Sequence, residues 1–282
     1  MCIKMVCRTD KGRVREHNED SIGIDESLGL AVLADGMGGC QAGEVASKMA
    51  VQSIMEELST VFKTQPSQHR HANHHYHSAT VRLEQAVLKS NQFIYHKAEE
   101  KKNYQGMGTT VIAALFNNHL ISIAHVGDSR LYRIRGETFC QITKDHSVRQ
   151  ELIDCGYYTP EQARRSHNKN LVTRALGVSK NVAVEIQEHS MLAQDIYLLC
   201  SDGLNDMIDD CEIHTIISNA NTFEEAAQSL INAANEKGGK DNISLILIRP
   251  PSVKLEKSKR WWLRLFDFFK IRVTKTECNK GI

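Results

Sequence analysis

The stretch Leu33-Ala34-Asp35-Gly36-Met37-Gly38-Gly39 directly follows an apolar run at 28–32, which is typical of a buried strand. An aspartate at the end of such a strand lies at the rim of the core, and the glycines beyond it leave the backbone bare. Hard cations bind oxygen ligands of this kind and accept a backbone carbonyl among them. A tight Asp-Gly turn explains the same residues, so this stretch alone leaves the two interpretations open.

The same pattern of apolar strand and acidic turn recurs elsewhere in the chain. An apolar run at 196–200 leads toward Asp202-Gly203, and Asp241 precedes an apolar strand at 243–248. Glu19-Asp20 adds acidic residues near the start of the chain. Carboxylates at several strand ends, far apart in sequence, are what a cluster of divalent metal ions requires.

The composition is that of an ordinary globular protein, with 41% hydrophobic and 24% charged residues in a chain of 282. That length holds one large domain or two small ones. The net charge of +1 is distributed unevenly, because residues 251–282 carry nine Lys or Arg against three acids and leave a net charge of about −5 to the rest. An acidic body without a basic stripe argues against a nucleic-acid partner.

The eight cysteines are scattered, and none of them forms a Cys-x-x-Cys pair. Several lie in apolar runs, where a buried thiol is the simplest interpretation. The N-terminus has no secretory signal pattern and the chain has no apolar run of transmembrane length, so we expect a cytoplasmic protein.

Hydrophobic periodicity predicts helices in pairs and strands in antiparallel runs, which indicates stacked layers rather than a βαβ repeat. The predicted helices lie at 43–58, 80–101, 205–218 and 222–237, with Val45, Met49 and Ile54 on one face of the first. The predicted strands lie at 1–9, 28–32, 111–116, 119–126, 131–135, 182–188, 195–200 and 243–248. Asn117-Asn118 predicts a two-residue hairpin link. No Rossmann fingerprint, Walker loop, nucleophile elbow or zinc pair is present in the sequence.

Three further parts of the sequence need separate interpretation. Residues 64–78 contain five histidines within nine residues, and an inter-helix loop is favoured over a transition-metal site. Residues 144–181 are polar and are interpreted as a surface flap subdomain that covers or shapes a site. Asp128 is either a turn residue or an additional metal ligand, and the sequence alone favours the turn.

A charged segment at 9–21 is either a solvated surface turn or part of a catalytic site. In the functional interpretation, Glu19 and Asp20 face metal ions and the waters bound to them. Arg15 then binds an incoming phosphate, because a guanidinium donates two parallel hydrogen bonds to phosphate oxygens. This segment alone does not decide between the two interpretations.

Taken together, seven ordered motifs resemble the metal-dependent protein phosphatase family, the type 2C serine/threonine phosphatases, in its compact bacterial form. The resemblance covers about residues 3–249. Its motifs are Val14-Arg15-Glu16-His17-Asn18-Glu19-Asp20-Ser21, Ala34-Asp35-Gly36-Met37-Gly38-Gly39, Gly106-Met107-Gly108-Thr109-Thr110, Val126-Gly127-Asp128-Ser129-Arg130, Thr173-Arg174-Ala175-Leu176-Gly177, Leu199-Cys200-Ser201-Asp202-Gly203-Leu204 and Gly239-Lys240-Asp241-Asn242-Ile243.

The resemblance implies an α+β fold, a four-layer αββα sandwich in which two antiparallel β-sheets are flanked by helix pairs. It also implies Mn²⁺ or Mg²⁺ as the cofactor, with two ions and a third, weaker site. The implied ligands are Asp35, Asp202 and Asp241 for one ion, Asp35, the Gly36 carbonyl and Glu19 for the other, and Asp128 with Asp202 for the third. Asp20 is implied to orient metal-bound water and Arg15 to bind phosphate, while a water or hydroxide bridging the two ions attacks phosphorus.

Position 37 departs from many eukaryotic members of that family, which carry a histidine directly after this Asp-Gly. Met37 has no proton to donate, so protonation of the leaving group falls to metal-bound water or to another residue. His17 and His146 are candidates for this role, but we interpret both as ordinary surface histidines.

The predicted domain organisation is a catalytic domain at 1–250 and a basic, aromatic tail at 251–282. On a helical wheel, the aromatic residues of the tail and Leu265 share one side, and the charged residues at 260–270 share the other. Such a helix binds an anionic membrane or a partner through 254–272, or packs against its own domain. The sequence leaves these alternatives open.

We therefore predict a protein phosphatase that hydrolyses phosphoserine and phosphothreonine in phosphorylated proteins and opposes a serine/threonine kinase. Two alternatives are a catalytically silent binding module with the phosphatase fold and a metal-dependent phosphodiesterase or nuclease. The complete acidic set argues against the first alternative, and the acidic body argues against nucleic acid as the substrate of the second.

Overall fold

The computed structural model describes residues 3–38, 42–64, 75–159, 162 and 171–250. The chain divides into two compact units at Ser252, and every described residue lies in the first unit. The predicted tail at 251–282 lies outside the described residues, as do most of the histidine-rich segment and the middle of the predicted flap. The interpretation of the tail as a membrane-binding or partner-binding helix therefore stays a prediction.

Strands and helices of the described residues are numbered in chain order. The strands are β1 (Lys4–Asp10), β2 (Asp20–Asp25), β3 (Leu30–Met37), β4 (Gly108–Thr109), β5 (Val111–Asn117), β6 (Leu120–Val126), β7 (Arg130–Arg135), β8 (Thr138–Gln141), β9 (Glu185–Ser190), β10 (Ile196–Cys200) and β11 (Ile243–Arg249). The helices are α1 (Ala42–Thr64), α2 (Ser78–Glu100), α3 (Val148–Asp154), α4 (Asp202–Asn205), α5 (Asp210–Asn219) and α6 (Phe223–Glu236), with a short 3₁₀ turn at Lys102–Tyr104.

These strands form two antiparallel sheets. One sheet has the order β1-β11-β10-β7-β8, and the other has the order β2-β3-β5-β6-β9 with β4 paired to β3. Because β10 and β11 are antiparallel neighbours, the last residues of β10 and the first residues of β11 lie at the same end of these two strands. Asp202 and Asp241, which lie just beyond those two strand ends, therefore become neighbours.

The core between the two sheets is formed by alternate residues of the facing strands. Leu33 and Ile112 from one sheet and Leu199 and Ile246 from the other are fully buried there. The intervening residues face outward, where α1 and α2 cover one sheet and α5 and α6 cover the other. This arrangement confirms the predicted four-layer αββα sandwich of two antiparallel sheets flanked by helix pairs.

The first helix buries Ile54 as predicted, but the centre of its buried face differs from the predicted one. Ala46, Ala50 and Ile54 are fully buried against the second sheet, whereas Val45 and Met49 are only half-buried at the margin of this core. Small side chains in the contact face let the helix axis approach the strands closely, and the larger residues then fill the edges. The helix also continues to Thr64 instead of ending at 58.

The predicted hairpin between β5 and β6 is present, but its link lies one residue further along the chain. Asn117 pairs with Leu120, so the two linking residues are Asn118 and His119. Asn118 has a φ of +53° and is the only non-glycine with a positive φ among the described residues. The sequence thus identified the correct residue type but not which asparagine forms the turn.

Two short parts of the segment 144–181 are buried, while most of its other described residues are exposed or half-buried, and its interpretation as a surface flap stays a prediction. Asp145, His146 and Ser147 are buried at one end, and Leu176 is fully buried at the other. Thr109 and Leu176 form a β-bridge, as do Ser147 and Val172. The first bridge joins the segment to β4 of the sandwich, and the second joins two parts of the segment to each other, although its polar composition is typical of surface structure.

Candidate active site

Loops and strand ends from both sheets meet around a cleft of about 540 Å³. Seven of the eight predicted site residues line it, namely Arg15, Glu19, Asp35, Gly36, Asp128, Asp202 and Asp241. The eighth, Asp20, is buried, and its Oδ2 accepts a hydrogen bond of 2.9 Å from Ser201 Oγ. The fold therefore brings together acidic residues that are separated by more than two hundred positions in the sequence.

Two of these carboxylates lie directly opposite each other in one sheet. Asp20 in β2 pairs with Asp35 in β3 in the antiparallel register. Like charges in this position destabilise a sheet unless another charge compensates for them. Thr110 holds the Asp35 backbone from the other side, because its Oγ1 accepts from Asp35 N at 3.1 Å and its N donates to Asp35 O at 2.8 Å. Sequence reasoning did not assign Thr110 a role, although it belongs to one of the matching motifs.

Glu19 reaches the cleft because two glycines allow three backbone segments to touch. A Cβ at Gly36 would lie 2.2 Å from Gly43 O and 2.6 Å from Glu19 O, and a Cβ at Gly43 would lie 2.6 Å from Glu19 Oε2. Gly36 N donates to Glu19 O, and Ser47 Oγ in α1 donates to the same oxygen. No other residue type fits at positions 36 and 43 without separating these segments.

Asp202 and Asp241 come together through a similar close contact, here between α4 and the start of β11. A Cβ at Gly203 would lie 2.0 Å from Asn242 O, so the backbone after Asp202 presses on the backbone after Asp241. The Asn242 side chain accepts from Glu19 N at 2.8 Å and donates to His17 O at 2.9 Å. Asn242 thereby ties the 11–19 loop to β11, a role that the sequence prediction missed.

The electrostatics of the cleft fit divalent cations. Burial raises the pKa of Asp35 and of Asp202 well above the ordinary value, and neighbouring aspartates raise both further. Burial likewise raises the pKa of Asp20 and of Asp128 to about 6. Asp20 Oδ1 and Asp202 Oδ1 are buried without a hydrogen-bond partner. Crowded carboxylate oxygens that lack hydrogen-bond donors are the donor set that Mg²⁺ and Mn²⁺ prefer.

Residues 10–247 of this chain match the family model described as Protein phosphatase 2C. The chain belongs to the protein phosphatase 2C family. It is 36% identical over 244 residues to serine/threonine phosphatase stp of Listeria innocua, a match that covers 86% of this chain and 93% of that protein.

Solved structures of this phosphatase family share the fold. The serine/threonine phosphatase PstP/Ppp of Mycobacterium tuberculosis matches with a TM-score of 0.79 and 34% identity, over 89% of this chain and all of that one. The catalytic domain of PstP in complex with two manganese ions matches with a TM-score of 0.76 and 35% identity, over 88% of this chain and 98% of that one. Similarity at this level supports a comparison of the sites as well as of the folds.

One further acidic residue of this phosphatase 2C chain was missed by the sequence prediction. Asp206 follows Asp202 by one helical turn, and Asp206 N donates to Asp202 O at 2.8 Å. Its negative charge contributes to the raised pKa of both Asp128 and Asp202. The four-residue spacing after Asp202 was the available signal, because residues at i and i+4 share one face of a helix.

Arg15 lies at the rim of the cleft with about half of its side chain exposed. Its Nη2 donates to Asp241 Oδ2 at 2.7 Å. The guanidinium is therefore directed at the acidic cluster, where its remaining N–H groups can face a phosphate bound above the carboxylates.

The two candidate histidines differ in environment. His17 is exposed and lines the cleft, in agreement with the interpretation of a surface histidine. The same interpretation is wrong for His146, which is 6% exposed and packs under the β6–β7 turn. In the histidine-rich segment, His77 Nδ1 lies 2.9 Å from Glu188 Oε2 at the beginning of α2. The histidines at 69–74 lie outside the described residues.

Among the described residues, no helix combines the length and the apolar character that crossing a bilayer requires.

We expect the pKa of Asp20 to appear in the pH dependence of stability. Its folded-state pKa is raised from 3.8 to about 6, so protonation of Asp20 stabilises the folded chain fully below pH 4, and this contribution is lost as the pH rises through 6. In excess chelator, the wild type should lose stability relative to Asp20→Asn between pH 4 and pH 6. Urea unfolding of both proteins across this range measures the difference, and a difference that stays constant contradicts the expectation.

Proposed function

We propose that this chain is a metal-dependent phosphoprotein phosphatase that removes phosphate from phosphoserine and phosphothreonine. The observation that carries the proposal is the cleft in which carboxylates from both sheets crowd together and retain buried oxygens without hydrogen-bond donors. The names of the relatives as serine/threonine phosphatases support the substrate class. The two manganese ions of the related PstP catalytic domain support Mn²⁺ or Mg²⁺ as the cofactor.

In this proposal the acidic residues share two ions. Asp35, Asp202 and Asp241 would hold one ion, and Asp35, the Gly36 carbonyl and Glu19 would hold the other. When bound, such a pair of cations lowers the pKa of a water nucleophile and neutralises the charge of the phosphoryl group.

Arg15 and Asp20 are assigned to the phosphate and to the nucleophilic water. Arg15 binds phosphate oxygens through the guanidinium that already faces the cluster. Asp20 lies opposite Asp35 in the sheet, where its carboxylate would orient the nucleophilic water. No side-chain nucleophile is required, which agrees with Cys200 being fully buried with its pKa raised to about 12 by that burial.

We assign a third, weaker cation to Asp128 and Asp202, and we add Asp206 to its ligands. The assignment is supported by the raised pKa values there, because beyond burial Asp128 and Asp206 raise the pKa of Asp202, and Asp145 and Asp206 raise that of Asp128. A cation held by these carboxylates would offset this repulsion.

The partners are phosphorylated proteins, and we propose that the chain opposes a serine/threonine kinase. A silent binding module is disfavoured, because the family's acidic ligands are all present around one cleft. A phosphodiesterase is the second alternative, and the choice of substrate separates it from a phosphatase. The serine/threonine phosphatase names of the relatives favour the monoesterase.

The proposal is tested by phosphate release from phosphothreonine and phosphoserine peptides, with Mn²⁺, with Mg²⁺ and with excess chelator. Bis(p-nitrophenyl) phosphate serves as the diester control and p-nitrophenyl phosphate as the monoester control. We expect metal-dependent release from both peptides and from the monoester. Full activity in chelator, or release from the diester alone, contradicts the proposal.

Replacing Arg15 with alanine should raise KM for a phosphopeptide by roughly ten- to a hundredfold, because a charge-assisted hydrogen bond contributes about 1.5–3 kcal/mol. Arg15→Lys should recover only part of this loss, since an ammonium cannot form the two parallel bonds of a guanidinium. Steady-state kinetics on a phosphothreonine peptide measure both effects.

Arg13→Ala is the matched control for this prediction. Arg13 is an exposed arginine two residues away on the same loop. An equal rise in KM for both alanine variants would mean that Arg15 acts through overall charge and not as a phosphate ligand.

A further inference from the structure

Gly127 lies between β6 and β7, and both of its backbone polar groups form hydrogen bonds with His146. Gly127 N donates to His146 Nδ1 at 3.1 Å, and His146 N donates to Gly127 O at 2.9 Å. Gly127 has a φ of +113°, and a Cβ there would lie 2.6 Å from the Thr110 side chain. The glycine is thus held between Thr110 on one side and His146 on the other.

The His146 ring has contacts at both nitrogens and on one face. Its Nε2 lies 3.2 Å from Glu185 Oε2, and its face stacks on His125 with ring centroids 4.3 Å apart. Because a backbone N–H donates to Nδ1, the ring proton resides on Nε2, where Glu185 accepts it. Arg174 Nη1 also lies 3.4 Å from Nε2, and with the proton on Nε2 that longer contact is not a hydrogen bond. Burial lowers the pKa of His146, which keeps Nδ1 free to accept. Thr173 N donates to His146 O at 2.8 Å and connects the segment that carries Leu171 and Val172 to the same residue.

A metal site is the obvious alternative for this group of residues. One ligand atom from each of His125, His146 and Glu185 lies within 4.8 Å of the others, and His125 Nδ1 is buried without a partner. A metal ion on His146 Nε2 would displace the proton that the Gly127 hydrogen bond keeps there. Neutral imidazole offers only one free lone pair, and His146 already uses it on Gly127. The hydrogen bonds therefore favour a structural triad over a metal centre.

The residue that follows Gly127 is Asp128, whose carboxylate lines the catalytic cleft. Strand β6 ends at Val126, so the sheet ladder no longer holds the backbone at this point. The direction in which Asp128 leaves the strand depends instead on the two hydrogen bonds of Gly127.

We propose that His146 is a positioning residue that fixes the Gly127 turn and thereby holds Asp128 toward the third cation site. This inference rests on the proposed phosphatase function, because it concerns the weakest of the metal sites assigned there. It predicts that the acceptor at Nδ1 matters for cation binding and that the contact between Nε2 and Glu185 does not.

Two substitutions of His146 distinguish the role of Nδ1 from that of Nε2. In His146→Asn, the amide oxygen occupies a place near that of Nδ1 and can accept from Gly127 N, while the contact with Glu185 is lost. In His146→Gln, the longer amide reaches Glu185, while the acceptor for Gly127 is lost. His125→Gln is the matched control, because His125 stacks on the same ring and is equally buried, and its Nε2 contacts Lys144 O instead of Gly127.

The first readout is hydrogen exchange of the Gly127 amide in chelated protein, and the second is a calorimetric titration with Mn²⁺. We expect His146→Gln to lose at least tenfold in Gly127 protection and at least tenfold in affinity at the weakest manganese site. We expect His146→Asn and His125→Gln to stay within about threefold of the wild type in both measurements. Equal behaviour of the two His146 variants, or an equal loss in His125→Gln, overturns the inference.

A measurement on the wild type covers the case in which a variant does not fold. Long-range ¹H–¹⁵N spectra of the chelated protein at pH 7 should show His146 as the neutral Nε2–H tautomer with Nδ1 unprotonated. An Nδ1–H tautomer or a charged ring overturns the inference. Failure of the proposed function is seen separately, as absence of metal-dependent hydrolysis by the wild type.

Discussion

Replacing Asp202 with asparagine is expected to lower kcat/KM for a phosphopeptide by roughly a thousandfold or more, and to raise the melting temperature of the metal-free protein. Asp202 is the carboxylate that both the main and the weaker metal assignments share. Metal ions contribute several kcal/mol to the stabilisation of a phosphoryl-transfer transition state, and each 1.36 kcal/mol corresponds to a factor of ten in rate. Loss of one shared ligand therefore costs most of the metal-dependent rate.

The gain in stability has a separate cause. Burial raises the pKa of Asp202 well above its ordinary value, and Asp128, Asp206 and Asp241 raise it further. Without metal at neutral pH, the folded chain must keep these carboxylates together, and Asp202 Oδ1 has no hydrogen-bond donor. Asparagine has the same shape and removes one of the charges, so the repulsion falls without leaving a cavity.

Asp154→Asn is the control for this pair of effects. Asp154 is exposed in α3 and pairs with Lys144 at 2.7 Å, and hydrogen bonds from Lys144 and Gln150 lower its pKa. The same chemical change should leave activity unchanged there and should not raise the melting temperature. Calorimetry in chelator and peptide kinetics with Mn²⁺ measure both properties. If Asp202→Asn melts below the wild type in chelator or retains full activity, the account of the site is wrong.

Asp35 and Asp202 could be predicted from a recognisable local pattern, whereas Glu19, Asp20 and Asp128 were assigned to the site only through the family resemblance. An apolar strand that runs into Asp-Gly places its carboxylate at a strand end, whatever the rest of the fold does. The layered fold followed in the same way from paired helices and antiparallel strands. The identification of the two Asp-Gly aspartates needs only their neighbours in sequence, and the layered fold needs only the order of the predicted elements.

Apart from Asp206, whose signal was local, the residues that were missed or misread act through partners farther away in sequence. Asn242 binds the backbone of Glu19, more than two hundred positions earlier in the chain, and the composition around His146 gives no sign of its contact with Gly127. The buried face of α1 was misread for a related reason, since the close approach of a sheet decides that Ala46 and not Val45 lies in the contact. Periodicity measures the character of a face but not the distance to its neighbour.

The dependence of the site on such long-range contacts gives the second large prediction, the substitution Gly203→Ala. The added Cβ would lie 2.0 Å from Asn242 O, a backbone atom that cannot rotate away. Helix α4 must therefore shift from β11, and Asp202 moves away from Asp241. We expect a loss of about 3 kcal/mol or more in the free energy of unfolding, which corresponds to a fall of roughly 6–12 °C in melting temperature. Manganese affinity should fall by at least tenfold in the fraction that remains folded.

Gly136→Ala distinguishes this steric cause from the general cost of replacing a glycine. Gly136 lies in the turn between β7 and β8 with a φ of +56°, and a Cβ there would meet no atom within 4 Å. Its replacement should cost about 1–2 kcal/mol through backbone strain alone and should leave manganese binding unchanged. Urea unfolding in chelator and manganese titration of both variants provide the comparison. Of these two glycines, only Gly203 contacts the backbone beside Asp241. A normal manganese affinity in Gly203→Ala would therefore show that the approach of α4 to β11 does not position Asp202.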